Sequence, residues 1–520
     1  MSIVITFLIL FLTAVTLLVL RFFTPSFRHN WLFAVGGTLL AWISALIWQV
    51  SLPINLRFTI WQPALLFSQS PTFVADGTSW AFVLSLITLC LAILVTAAVR
   101  PQFPSPVSWV GTLVLTSLGM LAVVAENPLT LVLIWAAIDL VELATQIWFV
   151  QDTRLSERVT IAFASRAAGI LILLWADVIG SASGQPLDFR LTSPQSGLFL
   201  VLAAGLRLGV LPLHLPYPSE SALRRGFGTG LRMVSAASSL ILLARIPATS
   251  INSPLTPYLL ILVSLAALYG GWMWLRAPDD LTGRPFWLIG MGSLAIASTL
   301  RANPVGAAAW GCALILAGGS LFLFSEPNRW LTRALYVSVF GISALPFSIT
   351  STGWLSGGTG YWLSFPVLIA AHAMLIAGYI RHLQRTLTRA SNEEQPIWGK
   401  NVYPFGISLL FLTTIVLGLF GWSGALKFGN LFVAILTSIL TIGLLWLTPR
   451  LRILSPVRAH WVRPESASWL DWGYRSLWEL YRLLGRISNS FLNMLEGESG
   501  LMWTLLFLVL FITVFTQGTP

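Results

Sequence analysis

Apolar runs of 18 to 24 residues recur from Met1 almost to the C-terminus. A helix of about 20 apolar residues crosses the ~30 Å hydrocarbon layer of a bilayer, because each residue adds about 1.5 Å. Repetition on this scale leaves one class open, the all-α polytopic membrane protein, with every backbone polar group satisfied inside its own helix. Only 9% of the 520 residues are charged, against about 25% in a soluble domain. Spans are expected near 3–22, 31–50, 79–99, 107–124, 129–149, 159–182, 197–215, 228–246, 256–276, 285–302, 304–324, 331–350, 361–381, 403–424, 428–448 and 500–517, about 16 in all. The connections around Asn303 and at Ala425–Lys427 are the weakest boundaries. Met1 to Phe23 lacks a basic leader and an A-x-A-like site, so it reads as a retained span.

The basic residues give an independent check, since each span reverses the side of every later loop. With the N-terminus outside, 22 of the 30 Lys and Arg fall in inside loops and four outside: Arg57, Arg190, Arg301 and Lys427. The other four, Arg166, Arg207, Arg232 and Arg245, lie within spans or at their ends. One miscounted span mid-chain would destroy that asymmetry, so both termini are expected outside. The +11 net charge then has a membrane cause, and nucleic acid is not an expected partner. Cys90 and Cys312 both sit in apolar runs, which excludes a disulfide framework and cluster ligation and points to core packing. No metal-ligand spacing and no dinucleotide fingerprint occurs, so no cofactor and no direct NADH binding are expected.

The stretch Trp469–Leu495 differs in kind. Leu470, Tyr474, Leu477, Trp478, Tyr481, Leu484, Phe491, Leu492 and Leu495 recur at helical spacing, with Arg475, Arg482 and Arg486 on the opposite face. That pattern reads as an amphipathic surface helix.

Ionisable groups inside spans cost at least ~2.5 kcal/mol each at the bilayer centre, so each asks for a partner or a task. They are Asp139 and Glu142 in span five, Arg166 and Asp177 in span six, Arg207 and His214 in span seven, Arg232 in span eight and His372 in span thirteen. Asp139, Glu142, Arg166, Arg207, His214 and His372 are the candidates for an ion pathway. Two readings stay open: a polar axis crossing the bundle, or static ion pairs that fix helix packing. Proline-containing stretches, "LPLHLPYP" and "ALPFSITSTGW", interrupt spans seven and twelve, five spans apart. Five is odd, so spans 4–8 and 9–13 form two units of opposite orientation, and broken helices at matching positions of inverted repeats point to a transport site. The expected divisions are 1–106 for the N-terminal helices, 107–246 and 256–382 for the two inverted five-helix repeats, and 402–448 for two further spans. The surface helix occupies 466–497 and the last span 499–517.

Several stretches resemble, in order and spacing over some 450 residues, the antiporter-like membrane subunits of NADH–quinone oxidoreductase (respiratory complex I), with relatives in Mrp-type antiporters and membrane-bound hydrogenases. They are "ADGTSWAFVLSLIT", "ENPLTLVLIWAAIDLVEL", "IAFASRAAGILILL", "GLRLGVLPLHLP", "LRMVSAASSLILLAR", "LTGRPFWLIGMGSLAIAS" and "SALPFSITSTGWLSG". The resemblance implies proton translocation coupled to electron transport from NADH to quinone. It also implies other membrane subunits as partners, a lipid bilayer around the chain and a bacterial inner membrane as its location. As an enzyme the chain is then at most a non-redox membrane subunit.

The departures from that family fall on its proton relay. The span-five glutamate position is Ala136, the span-seven lysine is Arg207, the span-eight histidine or lysine is Thr229, the span-ten lysine is about Gly318, and the terminal lysine or glutamate is Trp354. His214 keeps a family histidine. A buried lysine can release its proton, whereas an arginine keeps its own. Arg207 is therefore expected to pair with a span-five carboxylate, Glu142 in preference to Asp139, and the usual relay is expected to be disabled. Two other readings are a non-conducting structural homologue and a transporter of another ion or solute, including an inorganic-carbon uptake partner.

Overall fold

In the computed structural model the chain divides into two compact units, residues 1–457 and 458–520. The structure describes residues 2–24, 29–57, 70–97, 105–149, 153–182, 188–190, 192–215, 225–326, 329–355, 364–387, 397–422 and 425–447, together with Ser476, Glu479 and Arg482. Those last three, in the second unit, are helical and exposed. The rest of the expected surface helix (466–497) and the last span (499–517) lie outside the described residues.

The first unit holds fifteen described α-helices and one small hairpin. The helices up to the first break are α1 (Ser2–Phe23), α2 (Asn30–Ser51), α3 (Gly77–Thr96), α4 (Pro106–Val124), α5 (Pro128–Phe149), α6 (Thr153–Ala182) and α7 (Pro194–Leu208). After it come α8 (Arg225–Arg245), α9 (Thr256–Arg276), α10 (Asp280–Leu300), α11 (Pro304–Leu323) and α12 (Arg329–Gly341). The series ends with α13 (Phe365–Leu387), α14 (Ile397–Phe420) and α15 (Leu431–Leu447). Eleven of them are long and apolar enough to cross a membrane, while α7 and α15 are shorter apolar helices. Strands β1 (Ile54–Arg57) and β2 (Thr72–Ala75) pair antiparallel, Ile54 opposite Ala75 and Arg57 opposite Thr72.

Burial sorts the helices into a centre and a rim. Helices α3, α8 and α11 pack on one another and are buried along nearly their whole length. By contrast α1, α2 and α15 leave large aliphatic side chains exposed, Leu12, Ile47 and Ile442 among them. A run that is apolar all round belongs at the centre of a membrane bundle, and one with an exposed apolar face belongs against lipid.

The local stops are written in the sequence. Asp76, Ser193, Asp279 and Asn303 cap the helices that follow them, each accepting a backbone N–H three residues on. Such caps satisfy donors that a helix start leaves orphaned. The Asn303 cap makes the boundary between α10 and α11 a true turn. Both breaks appear, and each comes earlier than its proline. Helix α7 ends at Leu208 because Gly209 adopts φ 75°, a left-handed stop that glycine tolerates best. Helix α12 ends at Gly341, and Ala344 and Phe347 take φ 59° and 65° before a 3-10 turn at Ser351–Trp354. Thr350 stitches that break, its hydroxyl donating to the Gly341 carbonyl at 3.0 Å and accepting the Ala344 N–H at 3.0 Å.

Candidate functional site: a buried arginine–carboxylate cluster

Asp139, Glu142 and Gln146 stand at i, i+3 and i+7 on α5, a spacing that sets them on one helix face. They are almost wholly buried. Facing them are three buried arginines, one from each of the next three helices: Arg166 on α6, Arg207 on α7 and Arg232 on α8.

Arg207 grips Asp139 with two parallel bonds, Nη1 to Oδ2 at 2.6 Å and Nη2 to Oδ1 at 2.8 Å. The same Nη1 donates to the Arg166 carbonyl at 3.3 Å, and the guanidinium lies 4.3 Å from the Trp135 ring centroid. Glu142 is held by Arg166, by Arg232 at 2.5 Å and by the side-chain amide of Gln146 at 2.7 Å. Arg166 also stands 3.7 Å from Asp139. Each carboxylate thus meets two guanidinium groups, and the fork of an arginine matches a carboxylate edge-on.

The expectation that Arg207 would take Glu142 is corrected here, since its partner is Asp139. Helical side chains lean toward their own N-terminus, and the long arginine stem carries its guanidinium back to the level of Asp139. Glu142 is already occupied by Arg166 and Arg232. The path of Arg207 depends on Gly169 of α6, where an added Cβ would lie 2.6 Å from the Arg207 Cγ.

The two histidines do not join the cluster. In the turn after α7, His214 has its Nδ1 2.8 Å from the Pro212 carbonyl oxygen. On α13, His372 has its Nε2 2.6 Å from the Ile342 carbonyl oxygen at the α12 break, with the Trp310 ring at 4.9 Å. The structure therefore brings together four of the six candidates, and adds Arg232 and Gln146. Gln146 was legible in principle, one turn beyond Glu142 on the same face.

Beyond Arg232 the interior changes character. A Cβ on Gly318 would come within 2.7 Å of the Trp287 indole nitrogen, so Trp287 packs directly over that glycine. Trp287 lies 5.4 Å from Trp274 and 5.8 Å from Tyr379. The hydroxyls of Tyr379 and Ser338 each lie 2.9 Å from that of Ser320, and Tyr379 donates to the Ala317 carbonyl at 3.1 Å. Of the 30 basic residues only two are lysines, Lys400 and Lys427. The first lies in the opening turn of α14 and the second in the loop before α15.

Two smaller charge groups tie helix ends. Arg225 at the start of α8 pairs with Asp280 at the start of α10 and donates to the Phe322 carbonyl at 2.8 Å. Glu126, between α4 and α5, meets Arg190 at 2.5 Å and Arg245 at 3.4 Å. Burial pushes the Glu126 carboxyl above its ordinary range, while Arg245 and Arg190 draw it down.

No model of a known protein family matches the sequence, and no curated protein matches it. Solved structures do. A chain of the Mrp complex from Dietzia sp. DQ12-45-1b superposes with a TM-score of 0.72 at 14% identity, over 100% of this chain and 63% of that one. The fold is shared with that chain. The chain spans somewhat less than two thirds of the length of that neighbour. A chain of the membrane-bound sulfane sulfur reductase, an archaeal respiratory membrane complex, superposes with a TM-score of 0.63 at 12% identity, over 98% of this chain and 99% of that one. At these identities the likeness is one of fold, and both neighbours belong to multi-subunit membrane assemblies.

Proposed function

We propose that this chain is an antiporter-like membrane subunit of a complex I-type or related assembly, in which its buried charges are structural and do not relay protons. The bidentate Arg207–Asp139 pair carries this reading. It occupies the place where the resembled family has a titrating lysine, and an arginine effectively never gives up its proton in a protein. Proton relays need groups that exchange protons in turn. Here the cluster offers three arginines to two carboxylates, each of which is paired. Beyond it, tryptophans pack where the relay of that family continues.

In this reading α4–α8 and α9–α13 are two inverted five-helix units, supported by the breaks that both place in their fourth helix. Ion movement, coupled to electron transport from NADH to quinone in the complex I-type case, belongs to neighbouring subunits in a bacterial inner membrane. This chain supplies them with a rigid flank. The test is isolation of the native assembly through a tag on this chain, with its subunits identified by mass spectrometry. Further antiporter-like subunits together with hydrophilic redox or ion-coupling subunits are expected. A chain that purifies alone from mild detergent would contradict the reading.

A further inference from the structure

The C-terminal ends of α9, α13 and α15 meet at one corner of the bundle, where Leu444 and Leu445 pack against the buried Leu275 and Ala377. Three half-buried arginines gather there. Arg276 closes α9, and Arg381 and Arg385 stand in the last two turns of α13. Arg381 donates to the Leu275 carbonyl at 2.5 Å, and Arg385 to the Ala277 and Pro278 carbonyls at 2.7 and 3.0 Å. Basic side chains suit the carbonyl end of a helix, but that end supplies only about half a negative charge. Three whole positive charges exceed it.

Among the described residues, the charged groups acting on Arg381 are Arg385 and Arg276, both of its own sign. The carboxylates next along the chain are committed elsewhere, Asp279 as the cap of α10 and Asp280 in its pair with Arg225. Arg276 has its guanidinium carbon 5.3 Å from the Trp272 ring centroid, and its Nε is shut from solvent without a hydrogen-bond partner. Beside this corner α15 exposes Ile442 and Trp446. Tryptophan favours the headgroup level of a bilayer.

Like charges held together at the end of membrane spans, next to apolar surface, fit a ligand with an anionic head and apolar tails. We propose that the corner formed by α9, α13 and α15 binds an anionic phospholipid, its phosphate on Arg276, Arg381 and Arg385 and its chains along the exposed face of α15. The planar fork of an arginine, with five donors, can serve a backbone carbonyl and a phosphate at once. A zwitterionic lipid brings no net charge and leaves the repulsion among the three arginines in place. This corner lies inside in the expected topology, the side on which basic pockets between spans take anionic headgroups.

The test uses the purified full-length chain in a neutral detergent, titrated with phosphatidylglycerol, with phosphatidylcholine or with inorganic phosphate. The thermal unfolding temperature should rise saturably with phosphatidylglycerol and stay level with the other two. Arg276→Gln should weaken that response roughly tenfold, as expected for losing hydrogen bonds from a charged donor. Arg276→Lys should keep most of it, and Arg21→Gln, at the exposed end of α1, should change nothing. Phosphatidylglycerol with a photoreactive acyl chain should crosslink to α9 and α15. If Arg276→Gln does not fold, Arg276→Lys and the crosslinked peptides decide the matter. An equal response to phosphatidylcholine would overturn the proposal, as would one reproduced by inorganic phosphate. Equal losses in Arg276→Gln and Arg21→Gln, or crosslinks spread evenly over the outer helices, would overturn it too and leave only diffuse surface charge.

Discussion

Arg207 and Asp139 are each shielded from solvent and joined edge to edge. Breaking a buried pair from one side strands the other charge, which costs about 3–5 kcal/mol. Arg207→Met should fall toward the lower end of that range, because Arg166 remains 3.7 Å from Asp139. Adding Asp139→Asn should recover most of the loss, since it removes the stranded charge and its desolvation. Arg207→Met with Glu142→Gln should recover nothing, because Glu142 belongs to Arg166 and Arg232. Chemical unfolding of the three variants in one detergent separates these outcomes. The sequence located this site but not its pairing. Residue type and helical depth put a span-five carboxylate opposite Arg207, whereas the choice between two carboxylates three residues apart depends on side-chain reach and on what other helices claim. His372 shows the opposite limit. Its position inside a span marked it as a pathway candidate, yet it serves a backbone carbonyl freed by the α12 break, and a helix-end acceptor leaves no sequence signal on the helix that satisfies it.

Helices α6 and α7 meet where Gly169 gives Arg207 passage. A methyl there collides with the fixed stem of a doubly bonded side chain, whose Cγ is not free to swing aside. Gly169→Ala should therefore cost about 1–3 kcal/mol, the usual range for overpacking, although alanine is the better helix former. Thermal unfolding of Gly169→Ala in the Arg207→Met background checks the cause, because the penalty should shrink once the stem is replaced by a thioether chain. Long helices were legible from apolar periodicity, and α1, α2, α4, α5 and α9 match the expected spans to within a residue or two. The breaks were legible as well, but their edges were not. Prolines flagged them, whereas Gly209 sets where α7 stops, and α12 stops at Gly341, ahead of the left-handed Ala344 and Phe347. Glycine within an apolar run gives the same signal whether it ends a helix or packs inside one, as Gly318 does.

The bundle as a whole is an all-α membrane protein, and among the described residues a group of five buried charges lies on α5–α8. The expected orientation rests on charge alone, with 22 of 30 basic residues on one side of the expected topology. Asn392→Cys should resist a membrane-impermeant thiol reagent applied to intact cells and react after lysis. The background is clean, since Cys90 and Cys312 are both buried. Labelling of position 392 in intact cells would reverse the topology. The order of spans was readable over most of the chain because each departure from soluble composition is large. The proposed loss of a relay rests on a set of substitutions in the sequence, to which the structure adds the arginine pairs and the packed tryptophans. The most direct test of the central claim is proton flux into vesicles containing the purified chain under an imposed pH gradient. Flux near that of protein-free vesicles is predicted for the wild type, unchanged in Arg207→Met with Asp139→Asn. Robust wild-type flux that Arg207→Met abolishes would show that protons pass through the cluster, and would contradict the account.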